Sequence, residues 1–151
     1  MSAVHEYEVR VEWSGGRAGS GTVSAERFGS PLALSVPPEF QGLGEGTNPE
    51  EMLAAAICAC YGITFGIIAE NRKLPVASFT ADAVGEVEQK GPQFTYRSVT
   101  IRPRIVLEAG AGDAMAALAE ELAHKADAYC IITNAVRGNV EIKVEPTVVR
   151  G

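Results

Sequence analysis

The sequence predicts an α+β fold with mostly antiparallel pairing. Three observations lead there: an alternating apolar–polar stretch near the start, a long central helical segment with almost no polar face, and two extended runs after it joined by a Gly-Pro turn. At 151 residues the chain has the length of one domain with its own core, and no repeat or low-complexity stretch marks a second.

Residues 4–13 alternate, with Glu6, Glu8, Arg10 and Glu12 against Tyr7, Val9, Val11 and Trp13, the pattern of a half-buried strand. The glycine-rich stretch from Ser14 to Gly19 turns the chain, and residues 21–26 return it as a hairpin. A short strand over residues 32–36 stops at Pro37-Pro38, and Gly42, Gly44 and Gly46 then mark a flexible loop. A helix opens at Asn48, a good N-cap, with Pro49 suited to the first helical position and Glu51 placed to complete a capping box. It is expected to run to about Asn71, ahead of Arg72-Lys73 and Pro75. Ala54, Ala55, Ala56, Ile57, Phe65, Ile67 and Ile68 leave it little polar surface, so it needs cover on most sides. One small domain can hardly supply that alone, which points to a second copy of the chain. Its apolar run, around Leu53 to Ile68, is too short to span a bilayer, so no membrane partner is expected.

Residues 78–89 and 95–108 read as two strands of an antiparallel hairpin about Lys90-Gly91-Pro92. Asp113 is placed to cap a second helix whose Met115, Leu118, Leu122 and Tyr129 share one face, and residues 139–145 close the chain as a strand.

A net charge of −6 with no Lys/Arg cluster argues against a nucleic-acid partner. The first eight residues are too charged for a secretory signal, so a cytoplasmic setting is expected. Three cysteines, an odd number, do not make a secreted disulfide framework; a disulfide in a reducing compartment would be transient and functional. Cys58 and Cys60, two apart on a helix, point about 200° away from each other and cannot bind one ion or each other. His5 and His124 are isolated, so no metal site is expected, and Cys58 reads as packing. Cys60, deep in the apolar helix, and Cys130, after the second helix, read either as ordinary core residues or as a redox pair brought together by the fold. A thiol becomes a nucleophile when a positive charge stabilises its thiolate. Arg17, at the tip of its glycine-rich turn, is a candidate for that charge, and Glu50 for orienting the arginine through a bidentate pair.

Asn48-Pro49-Glu50, followed ten residues on by Cys60, resembles the signature of the osmotically inducible protein C and organic hydroperoxide resistance (OsmC/Ohr) family. The glycine loop from Gly42 to Thr47, the turn from Val11 to Arg17, and Cys130 with the stretch from Asn134 to Val140 resemble that family too, so the likeness covers nearly the whole chain. It implies an OsmC-like α+β fold, sheets packed around a long apolar helix and a second helix, in an intertwined homodimer. The implied activity is thiol-dependent reduction of organic hydroperoxides, with Cys60 as the attacking thiolate and Cys130 as the resolving thiol. In that scheme Arg17 lowers the Cys60 pKa and polarises the peroxide, and Glu50 positions Arg17. An external dithiol, lipoyl-type in the family and carried by a lipoylated protein, would reduce the Cys60–Cys130 disulfide; no metal, flavin or haem cofactor is implied. Tyr61, Phe65 and Ile131 are the expected apolar lining.

The chain departs from the family's pattern after Cys130, where Ile131, Ile132 and Thr133 stand in place of a frequent Pro and, two residues beyond it, Ser; it also carries the additional Cys58. These departures keep open an OsmC-like redox-sensing or ligand-binding protein with little turnover, and a third reading in which the cysteines only pack. Ten helical residues between Glu50 and Cys60 correspond to roughly 15 Å. A site using both needs a broken helix or a Glu50 from the partner chain, and the expectation is the partner, through an antiparallel pair of these helices at a twofold interface.

Overall fold

A computed structural model of the chain describes residues 2–151. It divides into two compact units, residues 1–52 and 53–151. In the first, β1 (Arg10–Ser14), β2 (Ser20–Ser24) and β3 (Leu32–Ser35) form an antiparallel sheet in that order. The strand expected over residues 4–13 begins only at Arg10. Its last pair is Arg10 with Ser24, after which the partner leaves the ladder for a short 3-10 helix over Glu26–Phe28. Val11 and Trp13, on this edge strand, are exposed where half-burial was expected.

The loop after β3 is fastened to that strand and not flexible. Ser35 Oγ donates to Glu45 O at 2.6 Å and accepts from Glu45 N at 2.7 Å, while Thr47 N donates to Ala33 O at 2.9 Å. Gly46 sits at φ +72° against the Ala33 backbone, and a Cβ on Gly42 would collide with the Val36 carbonyl. Glycine is required there for close approach, not for motion.

The helix α1 runs unbroken over Pro49–Asn71, the expected span. Asn48 Oδ1 accepts from Glu51 N at 2.8 Å, the N-cap read from the sequence. Glu51 does not close the capping box, because its carboxylate accepts instead from the Thr47 hydroxyl at 2.9 Å. At the other end Lys73 turns left-handed at φ 55°, with Leu74 N bonding Ala69 O at 2.9 Å and Lys73 N bonding Glu70 O at 3.0 Å, a Schellman ending. The whole helix, at 23 residues, is long and apolar enough by length and composition to cross a membrane, which the shorter apolar run within it is not. One face is nevertheless core: Ile57, Tyr61, Phe65 and Ala69 recur every fourth residue and are buried. Another face, with Ala59, Ile63 and Ile67, is exposed.

In the second unit, β4 (Val76–Lys90) and β5 (Gln93–Leu107) form the expected antiparallel hairpin, turning at Gly91-Pro92 with Gly91 at φ +58°. From β5 the chain crosses over through α2 (Asp113–Tyr129) and α3 (Ile131–Val136). It returns as β6 (Glu141–Val144) and β7 (Thr147–Arg150), both parallel to β5 and sharing its length. A crossover of this kind is what parallel pairing needs. The sequence pattern predicts neither α3 nor β7. Gly112, not Asp113, is the cap of α2, its carbonyl accepting from Met115 N and Ala116 N; Asp113 is the first helical residue and pairs with Arg150 at 2.6 Å. Tyr129, expected on the buried face, is 63% exposed, because the buried row runs through Ala119, Leu122, Ala123 and Ala126 toward Cys130.

That row, the core face of α1 and Val99, Ile101, Ile105 and Leu107 of β5 belong to one apolar cluster. Within it Tyr61 ties α1 to α2: its hydroxyl donates to Ala123 O at 2.6 Å and its ring lies 6.5 Å from that of Phe79. Burial, with help from Asp127 and Cys58, pushes the Tyr61 pKa well up, so the hydroxyl keeps its proton at any working pH. Tyr61→Phe removes this buried bond while keeping the ring. It should cost about 1–2 kcal/mol of stability, read as a lower urea midpoint with an unchanged slope.

Candidate active site

Cys60 follows from the placement of its neighbour. With Tyr61 turned into the core toward α2, the half-buried Cys60 beside it meets the joint between α2 and α3, where Cys130 sits. Cys130 is wholly buried and serves both helices. Its N–H donates to Asp127 O at 3.3 Å at the end of α2, and its carbonyl accepts from Asn134 N at 2.9 Å. Its sulfur also accepts from Thr133 N at 3.4 Å as the N-cap of α3. A polar clamp fixes this joint: Arg137 donates to Asn134 Oδ1 and to Asp127 O, both at 3.0 Å, and Asn134 Nδ2 donates to Ala128 O at 3.0 Å. Thr133, also fully buried, sits against Cys130, where its hydroxyl and its backbone N–H both favour the Cys130 thiolate.

The two sulfurs are hydrogen-bonded to each other, Cys130 donating and Cys60 accepting. Burial alone pushes the Cys60 thiol up. The Cys130 S–H, the Ile132 N–H, the Thr64 hydroxyl and the Ile131 N–H, all donating to its sulfur, outweigh burial and bring its pKa below the ordinary thiol range. Cys130 moves the opposite way: burial and the bond it donates to Cys60 hold its proton on. One thiol is therefore poised to ionise and the other to stay protonated. Cys58 stands apart, donating to Ala81 O on β4 at 3.6 Å, with burial and the nearby Asp82 charge raising its pKa.

Arg17 and Glu50 both lie in the first unit. Arg17 is exposed at the β1–β2 turn, where its guanidinium donates to Gln41 Oε1 at 3.5 Å. Glu50 is half-buried in the first turn of α1. Since α1 is continuous, the broken-helix route from Glu50 to Cys60 along one chain does not exist. The expected lining needs correction. Tyr61 and Phe65 are core residues, and only Ile131, 77% exposed, is open beside the thiols. Phe65 instead borders a hollow of about 250 Å³ with Ala69, Leu74 and Phe79. Among the described residues no group of three or more His, Cys, Asp and Glu is placed to hold a metal ion. Sequence reasoning missed Thr64, although its spacing of four from Cys60 on one helix was a usable signal. It had no signal for the Ile131 and Ile132 amides, which act through the backbone.

The pKa directions predict an order of alkylation. As pH rises from acid, Cys60 should react first with iodoacetamide, and Cys58 and Cys130 only at higher pH, read by peptide mass mapping. Ile131→Pro deletes one N–H donor while suiting the first helical position, and should slow Cys60 alkylation at pH 7 by roughly tenfold at most.

The family described as OsmC-like protein matches residues 42–145. Uncharacterized protein YmaD of Bacillus subtilis is 36% identical over 149 residues, covering 99% of this chain and 98% of its own. Organic hydroperoxide resistance protein-like 1 of Staphylococcus saprophyticus is 27% identical, over 95% of this chain and 96% of its own. The crystal structure of an organic hydroperoxide resistance protein OsmC from Legionella pneumophila matches with a TM-score of 0.77 at 26% identity, covering 97% of this chain and 99% of that one. The matched region contains Glu50, Cys60 and Cys130, with Arg17 outside it. A family match over residues 42–145, more than half of the chain, places it in the OsmC-like protein family, which includes organic hydroperoxide resistance proteins.

Proposed function

We propose that this chain is a cysteine-based peroxidase that reduces organic hydroperoxides as a homodimer in the cytoplasm. The observation that carries this reading is the hydrogen-bonded pair of thiols with opposite proton affinities. The Cys60 thiolate attacks the terminal peroxide oxygen, the O–O bond breaks, and the alkoxide leaves and takes a proton to become the alcohol. Sulfur is thereby oxidised to a sulfenic acid. Cys130 then attacks that sulfur, forming the Cys60–Cys130 disulfide; its proton leaves with the sulfenic hydroxyl as water. An external dithiol of the lipoyl type restores both thiols by exchange and departs as its own disulfide. No metal or organic cofactor takes part. Arg17 assists by stabilising the thiolate and polarising the peroxide, and Glu50 orients Arg17. The names of the relatives, hydroperoxide resistance proteins, support the substrate class.

The unbroken α1 and its exposed Ala59, Ile63 and Ile67 support a second copy packed antiparallel along this helix, with Glu50 serving the partner's Cys60. A second reading, a redox-sensing protein with little turnover, is favoured by one observation: Cys130 is completely buried, which hinders an external dithiol from reaching its sulfur.

Mixing the reduced protein with cumene hydroperoxide should consume two of the three thiols and lower the mass by two hydrogens, leaving Cys58 free. An unchanged thiol count and mass would sink the peroxidase reading. A disulfide that forms but that dihydrolipoamide fails to reduce would favour the sensor. Mixed dimers of Cys60→Ser and Glu50→Ala subunits test sharing between chains. Action across the interface leaves one intact site per mixed dimer, so activity should rise well above both parent homodimers, and activity at their background would rule it out.

A further inference from the structure

We propose that Thr64 is a thiolate-holding residue of this site, its hydroxyl donating to Cys60 Sγ from the next turn of the same helix. Residues four apart on a helix share a face, and side chains lean toward the N-terminal turn, so the Thr64 side chain is directed back at Cys60. The unbroken helix sets Thr64 one turn from Cys60 on the same face, and Thr64 is half-buried, which shields a hydroxyl–sulfur contact there from competing water.

What distinguishes Thr64 from the other donors is permanence. The Cys130 S–H stops donating as soon as Cys130 ionises. The Ile131 and Ile132 amides belong to α3, whose cap is the Cys130 sulfur. Thr64 lies on the rigid element that carries Cys60 itself and depends on neither. It supplies the thiolate with a donor whether Cys130 is protonated or ionised. The competing arrangement is ordinary: a helical threonine hydroxyl bonding the carbonyl four residues back, with no effect on the sulfur.

The catalytic meaning of this assignment rests on the reading of Cys60 as the attacking thiol, but its test uses no peroxide. Cys60 alkylation by iodoacetamide is followed against pH in wild type, Thr64→Val, Thr64→Ser and Cys130→Ala proteins, with circular dichroism as the fold control. Thr64→Val, nearly isosteric, should slow Cys60 alkylation at pH 7 by roughly tenfold, the scale of one hydrogen bond to an ionised group, and move its pH profile upward. Thr64→Ser should restore the wild-type profile, and Thr64→Val in the Cys130→Ala background should slow the reaction further than Cys130→Ala alone. Thr64→Ala serves as the deletion should valine disturb the fold. A valine profile that overlays wild type, or a serine variant as slow as valine, would overturn the assignment. Failure of the peroxidase reading shows separately, as no thiol loss with cumene hydroperoxide, and leaves these rates untouched.

Discussion

A helix with apolar side chains on most of its surface is tolerated in water only when other elements cover it, and α1 imposes that demand on the second unit. β5 and α2 answer it on one side, and the Tyr61 bond to Ala123 fixes how α1 and α2 meet. Because successive helical residues point about 100° apart, turning Tyr61 into the core also decides where Cys60 points. The juxtaposition of the two thiols is thus a by-product of core packing. The same residues that satisfy the hydrophobic demand bring one thiol to the end of the helix that carries the other.

The chemistry of the pair comes from unequal hydrogen bonding more than from unequal burial. Desolvation acts against both thiolates, since a charge loses water on either sulfur. Cys60 collects donors that more than offset this loss, whereas Cys130 gives away its own hydrogen and accepts from the Thr133 side. No formal positive charge is needed within the second unit for the difference to arise. Backbone amides and a hydroxyl already help split two chemically identical groups into one that ionises more readily and one that holds its proton.

Much of this was legible in the sequence. Asn48, Pro49 and the apolar run defined α1 because caps and hydrophobic periodicity are local signals. The long hairpin was legible from its alternation and its Gly-Pro turn. α3 was not, because Ile-Ile-Thr is a poor helical opening and six residues carry no periodicity; it exists because Cys130 caps it and Arg137 clamps it. β7 was hidden because Pro146 interrupts the closing segment, and its pairing depends on a vacant stretch of β5 that only the fold reveals. The glycine loop misled for a related reason: glycine marks both freedom and close approach, and only the contacts tell them apart. At the site, both cysteines were legible as a pair through resemblance, while the donors to Cys60 lay in backbone groups that no side-chain pattern encodes.

Holding Cys60 against Cys130 has a thermodynamic consequence for the chain as a whole. Positions 60 and 130 bracket roughly 70 residues, and bringing such distant points together in an unfolded polymer costs about 4 kcal/mol of chain entropy. The native packing has already met that cost, so the sulfurs face each other at a high local concentration. Any disulfide between them is therefore favoured in proportion to the fold's own stability. By linkage, a substitution far from either sulfur that loosens the core would also weaken such a disulfide, and such a disulfide would in turn resist unfolding. Foldedness and the oxidation of such a pair would then behave as one coupled variable.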